Sequence, residues 1–320
     1  MQSINVIVAA LLVISNATAA EAPRKASMPN VEHSARATGE RESQRAPTDE
    51  EALALAAMEG LMAQPPERAL PIIKRVLAGS QTTLVKKRAL FVLSQLDTPE
   101  AQQILLQTSR SADEALRREA IRSIGIGGNA KSLAALRDIY STGDEIVKEH
   151  VLEAWMIADR KEDVYQAAIN AISETEAHRA IRMLAVMGAI DELRKLGEHP
   201  NAGGGLVEAY AISGDLVSLR KIVEGSVDVA VRTEAVRKMG IIHGDAARTA
   251  LREIYTGSSD LQIKDAALQG MLIAGDEQGV LALYRAAKTT DEKRALLRTL
   301  SMIGGDAALE AIDATLEERK

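Results

Sequence analysis

Residues 116–125 read LRREAIRSIG, and residues 231–240 read VRTEAVRKMG. The two decapeptides share an Ala, an aliphatic residue after it and another apolar residue one turn later, among Arg, Lys and Glu. Aligning on Ala120 and Ala235 and extending both ways gives anchors at Ala89, Ala120, Val151, Ala180, Leu206, Ala235, Ala267 and Ala295, spaced 26 to 32 residues apart. The residue after each anchor is always apolar: Leu90, Ile121, Leu152, Ile181, Val207, Val236, Leu268 and Leu296. Four beyond each anchor stand Leu93, Ile124, Trp155, Leu184, Tyr210, Met239 and Met271, with Thr299 the one exception. Apolar side chains at i, i+1 and i+4 share one side of an α-helix.

Between these segments runs a second helical set: AKSLAALRDIY, AARTALREIY, EQGVLALYRAA and AALEAIDATL. Each unit is therefore a helix pair. A lone pair cannot bury both apolar faces, so successive pairs must stack into one continuous core. Pro65, Pro66 and Pro99 fall at helix starts, where a missing N–H does no harm. No alternating strand pattern occurs. The expected fold is all-α, a right-handed α-solenoid over residues 49–320.

LRREAIRSIG and VRTEAVRKMG resemble the second helix of HEAT repeats, and residues 49–320 as a whole look like a HEAT-like array. The resemblance implies that the second helices line a concave surface. It is nearly silent on activity, because the family includes scaffolds, transport factors, nucleic-acid binders and a few enzymes. The unit at about 176–214 departs from the pattern: it is short and carries Pro200 and Gly203–Gly205, which suggests a kink.

The composition agrees with thin helical layers. Hydrophobic residues make up 46% of the 320, but aromatic ones only 2%. A net charge of −6 argues against a nucleic-acid partner, which normally selects a basic footprint. Residues 1–19 read as a secretory signal peptide: an uncharged apolar run, Ile4–Ile14, precedes NATAA, with Ala17 and Ala19 at the −3 and −1 places. No Lys or Arg precedes Ile4, and a short buried helix or a membrane anchor is the alternative, although the run is short for a bilayer. Residues 20–48, with their prolines, mixed charges and few large apolar side chains, read as a disordered linker. The expectation is a periplasmic or secreted protein with no transmembrane segment in the mature chain. Without cysteine it has no disulfide framework.

Asp215 follows Gly214, where a catalytic carboxylate or a metal ligand could stand. Its setting recurs, however, at Asn129, Asp245, Asp276 and Asp306, each after a Gly and before a helix. Asn and Asp there are helix N-caps, and a general base is not needed once per thirty residues. A second series places an acid four residues before a base: Asp113 and Arg117, Asp144 and Lys148, Asp228 and Arg232, Asp260 and Lys264, with Thr82 and Lys86 a variant. This combines a cap with a weak i,i+4 attraction. The family resemblance implies a ladder of Asp–Arg contacts between repeats at such positions; a charged substrate channel is the competing reading.

Catalytic patterns are scarce. The five histidines form no HExxH, and the His-Glu pairs of iron-binding HEAT hydroxylases are absent. No metal site or cofactor is expected; the weak candidates are His150 and His178, on consecutive second helices near Glu149, Glu153 and Arg182, against two ordinary solvated side chains. GIGGNAKS at 125–132 lacks the Gly-Lys-Ser/Thr of a phosphate loop, and no GxSxG elbow appears. The concave face is the remaining candidate. Counting along the second helices puts Arg88, Phe91, Arg118, Arg122, Glu149, Glu153, Arg237 and Gln269 away from the core, joined by Arg182, Glu208 and Arg298. Arg and aromatic residues suit a protein-binding groove. The leading expectation is an exported, non-enzymatic scaffold for an unidentified protein partner. The alternative is an enzyme like the chromophore-attaching HEAT-like lyases, holding a small ligand near 150–214, where a kink at 188–214 opens a pocket.

Overall fold

The computed structural model describes residues 46–198 and 205–317. The expected signal peptide and most of the expected linker lie outside them, as does Pro200. Residues from Thr48 onward form one compact unit. It consists of α1 (Asp49–Leu61), α2 (Pro66–Ala78), α3 (Thr83–Ser94), α4 (Pro99–Thr108), α5 (Glu114–Gly127), α6 (Ala130–Thr142), α7 (Glu145–Ile157), α8 (Lys161–Ile169), α9 (Glu174–Val186), α10 (Ile190–Gly197), α11 (Leu206–Ser213), α12 (Leu216–Glu224), α13 (Val229–Met239), α14 (Asp245–Gly257), α15 (Leu261–Ile273), α16 (Glu277–Ala286), α17 (Thr290–Ile303) and α18 (Asp306–Glu317). No strand occurs among the described residues. The fold is an all-α solenoid.

The helices stack in two rows. All anchors lie on the odd-numbered helices, and consecutive odd helices pack on one another along the whole array. Neighbouring even helices touch less, so the odd row is the inner one. Glycine explains the close inner spacing. A Cβ on Gly127 would stand 1.8 Å from the Ser94 carbonyl oxygen, one on Gly125 2.6 Å from that of Ala154, and one on Gly240 2.3 Å from that of Gly270. Only a missing side chain lets the backbones approach so far.

The buried set is the periodic one. Six of the eight anchors are buried, and Leu206, at the truncated start of α11, and Ala295 are partly so. Trp155 and Tyr140 pack ring on ring at 5.3 Å between α7 and α6. Thr299, the polar exception, is buried too, because its hydroxyl donates to the Ala295 carbonyl in the turn below. The irregular unit is shorter than expected: α9 is an ordinary helix capped by Ser173, and only α10 and α11, eight residues each, depart from the pattern. The start of the solenoid also shifts. Thr48, assigned to the linker, caps α1 and makes a reciprocal capping box with Glu51.

Candidate functional site

Every concave-face candidate lies on the inner row. Arg88 and Phe91 sit on α3, Arg118 and Arg122 on α5, Glu149 and Glu153 on α7, Arg182 on α9, Glu208 on α11, Arg237 on α13, Gln269 on α15 and Arg298 on α17. Arg118, Arg122, Glu149, Arg182, Glu208, Gln269 and Arg298 are exposed, while Arg88, Phe91, Glu153 and Arg237 are half-buried. Some contact one another. Arg88 pairs with Glu59 and stacks 5.4 Å from the Phe91 ring, and Arg118 approaches Glu153 at 3.9 Å. Burial pushes the Glu153 carboxyl above its ordinary pKa, against the opposing pull of Arg118. Arg122, Arg182, Arg237, Arg298 and Glu208 enter no ion pair among the described residues.

One feature of this face escaped the sequence reading. Six residues beyond the anchors stand Ile126, Ile157, Val186, Ile212, Ile241 and Ile273. The five isoleucines are 37–56% exposed. Each stands four residues after a residue of the charged column Arg122, Glu153, Arg182, Glu208 and Arg237, or after Gln269, and where both lie in the helix, as all but Ile241 do, they share a face. The signal was available in the same alignment, but attention to the core positions passed over it.

The caps divide. Asn129, Asp215 and Asp276 accept the backbone N–H three residues on, from Ser132, Ser218 and Gly279. Asp245 and Asp306, expected as caps, are instead the first helical residues of α14 and α18. Gly244 (φ +115°) and Gly305 (φ +85°) take the preceding place in a conformation L side chains rarely adopt. The N–H of Ala307 donates instead to Glu277 of the neighbouring unit, at 2.6 Å. The inner caps Asp113, Asp144, Asp228 and Asp260 accept from the first turn of their helices, whereas Thr82 makes no such bond.

The expected i,i+4 acid–base pairs do not form. Lys148 and Lys264 reach forward to Glu176 and Glu292 of the next unit, and Arg117 and Arg232 donate to the Ser111 and Val223 carbonyls. The expected Asp–Arg ladder exists, but on the outer row. Arg137 pairs with Asp163, Arg194 with Asp215 and Arg252 with Asp276. Asp215, 3% exposed, accepts from Arg194 Nε and Nη2 at 2.8 Å each and from the Ser218 hydroxyl at 2.6 Å. Burial alone would raise its pKa, yet these bonds hold it below the usual carboxylate value. Every lone pair of this carboxylate is directed at structure.

His150 is buried on α7, and that burial, helped by the nearby Arg118 charge, lowers its pKa to about 4. His178 is half-buried on α9, with Nε2 3.9 Å from Glu174 of its own helix and its ring against Gly205. No hydrogen bond or ion pair joins the two rings, and no group of three His, Asp or Glu among the described residues could hold a metal ion. A cleft of ≈ 630 Å³ is lined by residues of α12 to α15, including Arg220, Arg232, Glu253 and Asp260. A second, of ≈ 330 Å³, lies among Tyr140, Asp144, Lys148, Ile172, Glu176 and Arg179. Both open where outer helices end and inner ones begin, and neither includes His150, His178 or a described residue of 188–214. In the smaller cleft Lys148 pairs with Glu176 and Arg179 with Glu145, so its charges satisfy one another.

Residues 70–155 match the family model for HEAT repeats. No curated protein matches the chain. Among solved structures it is similar to the complex of CpcE and CpcF of phycocyanin lyase from Nostoc sp. PCC7120, at 18% identity and a TM-score of 0.31, covering 78% of this chain and 93% of that one. It is also similar to human deoxyhypusine hydroxylase in complex with glycerol, at 16% identity and a TM-score of 0.31, covering 84% and 92%. An engineered protein is similar at 17% identity and a TM-score of 0.28, covering 85% and 89%. Likenesses this distant carry no argument about activity. Residues 70–155 thus carry HEAT repeats, and helix pairs continue beyond them in the same two rows.

Proposed function

We propose that the chain is an exported, non-enzymatic scaffold, periplasmic or secreted, whose inner face receives a protein partner. The observation that carries this reading is the contrast in how arginines are used. From α6 onward each outer-row arginine, namely Arg137, Arg194, Arg220, Arg248, Arg252 and Arg285, is held in an ion pair. On the inner row Arg88, Arg118, Arg179 and Arg294 are paired too, but Arg122, Arg182, Arg237 and Arg298 are held in none among the described residues. Unpaired guanidinium groups beside exposed isoleucines are the residue types that anchor protein interfaces. Export rests on the pattern of residues 1–19. No described helix is long and apolar enough to cross a membrane.

A photo-cross-linking residue at position 122 or 182, with Asp138 of the outer row as control, tests the reading in cells. The same protein is expected from both inner positions and not from the control. Equal labelling from both rows, or none from the inner one, removes the proposal. The mature chain is expected to begin at Ala20; an intact N-terminus in the cell envelope would remove the export half.

A further inference from the structure

We infer that the inner face receives a partner α-helix laid along the array, apolar on one side and flanked by charges that alternate in sign from one heptad to the next. This rests on the docking role proposed for that face and specifies what docks there.

Two columns define the surface. The apolar one runs through Ile126, Ile157, Val186, Ile212, Ile241 and Ile273, one residue at or just past the C-terminal end of each consecutive inner helix from α5 to α15, with Val186 half-buried. Isolated aliphatic side chains on a surface are ordinary; six in register are a stripe. Most other strongly exposed aliphatics lie elsewhere, on the terminal helices (Leu53, Leu309, Leu316) or at the outer-to-inner turns (Ile172, Leu261). Gly125 against Ala154 and Gly240 against Gly270 draw the inner helices together near two of its steps. The second column, one turn away on the same helices, reads Arg122, Glu153, Arg182, Glu208, Arg237: plus, minus, plus, minus, plus.

The dimensions select the occupant. Packed helices lie about 8–10 Å apart, which a helix rising 1.5 Å per residue crosses in roughly six to seven residues. One apolar residue per heptad of a partner helix would therefore meet one isoleucine per unit. The two columns are about one helical turn apart, within the roughly 10 Å width of a helix. An extended segment fits the spacing as well, at about three residues per unit, but isoleucine offers no hydrogen bonds, and such a segment would bury unpaired peptide groups against it. A helix carries its backbone bonds with it. Charge complementarity then requires acid opposite Arg122, Arg182 and Arg237 and base opposite Glu208, with a second base opposite Glu153 in competition with Arg118.

The test uses the full chain and two synthetic peptides of about 35 residues, long enough to span five units. One has a Leu stripe at heptad spacing with a flank alternating Glu and Lys by heptad; the other has the same composition with the stripe scattered round the helix. Binding is read by fluorescence anisotropy, and the fold of each variant by its circular dichroism. The patterned peptide is expected to bind at least about tenfold more tightly than the scattered one, and to lose about tenfold or more with Ile157→Ser/Ile212→Ser/Ile241→Ser or with Arg122→Glu/Arg182→Glu. Equal binding of the two peptides, no binding of either, or indifference to both sets of substitutions in folded protein overturns the inference. Cross-linking from positions 122 and 182 in cells reports separately on the docking role: capture of a partner whose cross-linked residues step by about three per unit keeps that role and overturns the helix.

Discussion

The outer and inner rows are built from the same repeat, and both pair charges between helices, yet only the inner row leaves a column of arginines unpaired. On the outer row acid and base are consumed by the architecture. Asp163 is fully buried between Arg137 and Arg160, and Asp215 both caps α12 and holds Arg194 of the preceding unit. On the inner row Arg88, Arg118, Lys148, Arg179 and Lys264 are paired as well, but Arg122, Arg182, Glu208, Arg237 and Arg298 are left over, beside a column of half-exposed isoleucines. The difference teaches where cohesion ends and recognition can begin. The outer helices, less closely spaced, are linked through buried aspartates, whereas the inner helices combine ion pairs with backbone-to-backbone approach at glycines.

Breaking the outer ladder should have the largest effect. Asp163→Ala strips both arginines of their shared acceptor and leaves a cavity, with an expected loss of about 3 kcal/mol in urea denaturation. Asp215→Ala should cost about 2–3 kcal/mol, more than the ~1 kcal/mol of a cap alone. A loss no larger than that of a simple cap would show that the ladder contributes little. For Asp215 the folded carboxyl has the depressed pKa, so its stabilisation is full above about pH 4, the ordinary carboxylate value, and is lost as pH falls through the lower folded value.

Loosening the inner row comes next. Gly127→Ala or Gly240→Ala forces a methyl into a neighbouring carbonyl and should cost about 2–3 kcal/mol. Gly60 and Gly257, helical residues with nothing within 4 Å of an added Cβ, should accept Ala with a gain of about 0.5 kcal/mol. Equal effects at all four would break the account of inner-row spacing.

His150 sharpens the comparison through pH. Its folded pKa, about 4, lies below the unfolded value near 6.5. The unfolded chain therefore binds its proton first, and stability should fall by about 2 kcal/mol as pH drops from 6.5 to 4. His150→Gln should flatten that part of the profile in thermal melts at a series of pH values. The smallest effect on stability belongs to the solvent face: Arg182→Ala should change the denaturation midpoint by less than about 0.5 kcal/mol equivalent while reducing partner capture.

Much of this was legible in the chain. The anchor pattern gave the odd helices, and the Gly-Asp recurrence gave the caps at Asp215 and Asp276, because both signals are local: a helix face and a first-turn N–H are settled within a few residues. Asp245 and Asp306 misled for an equally local reason, since a glycine in a left-handed conformation moved the helix start by one residue. The Asp–Arg ladder could not be placed. Asp215 meets Arg194, a partner 21 residues back on an outer helix, and no spacing rule within one helix finds it.

By itself the sequence determined the period, the helix pair and the side of each helix that turns inward, because burying apolar surface acts at every position and leaves its spacing behind. The tertiary structure alone decided which charges are spent between neighbouring helices and which remain facing solvent. Such pairing depends on how far one unit slides and turns against the next, and that offset comes from close packing among residues distant in the chain.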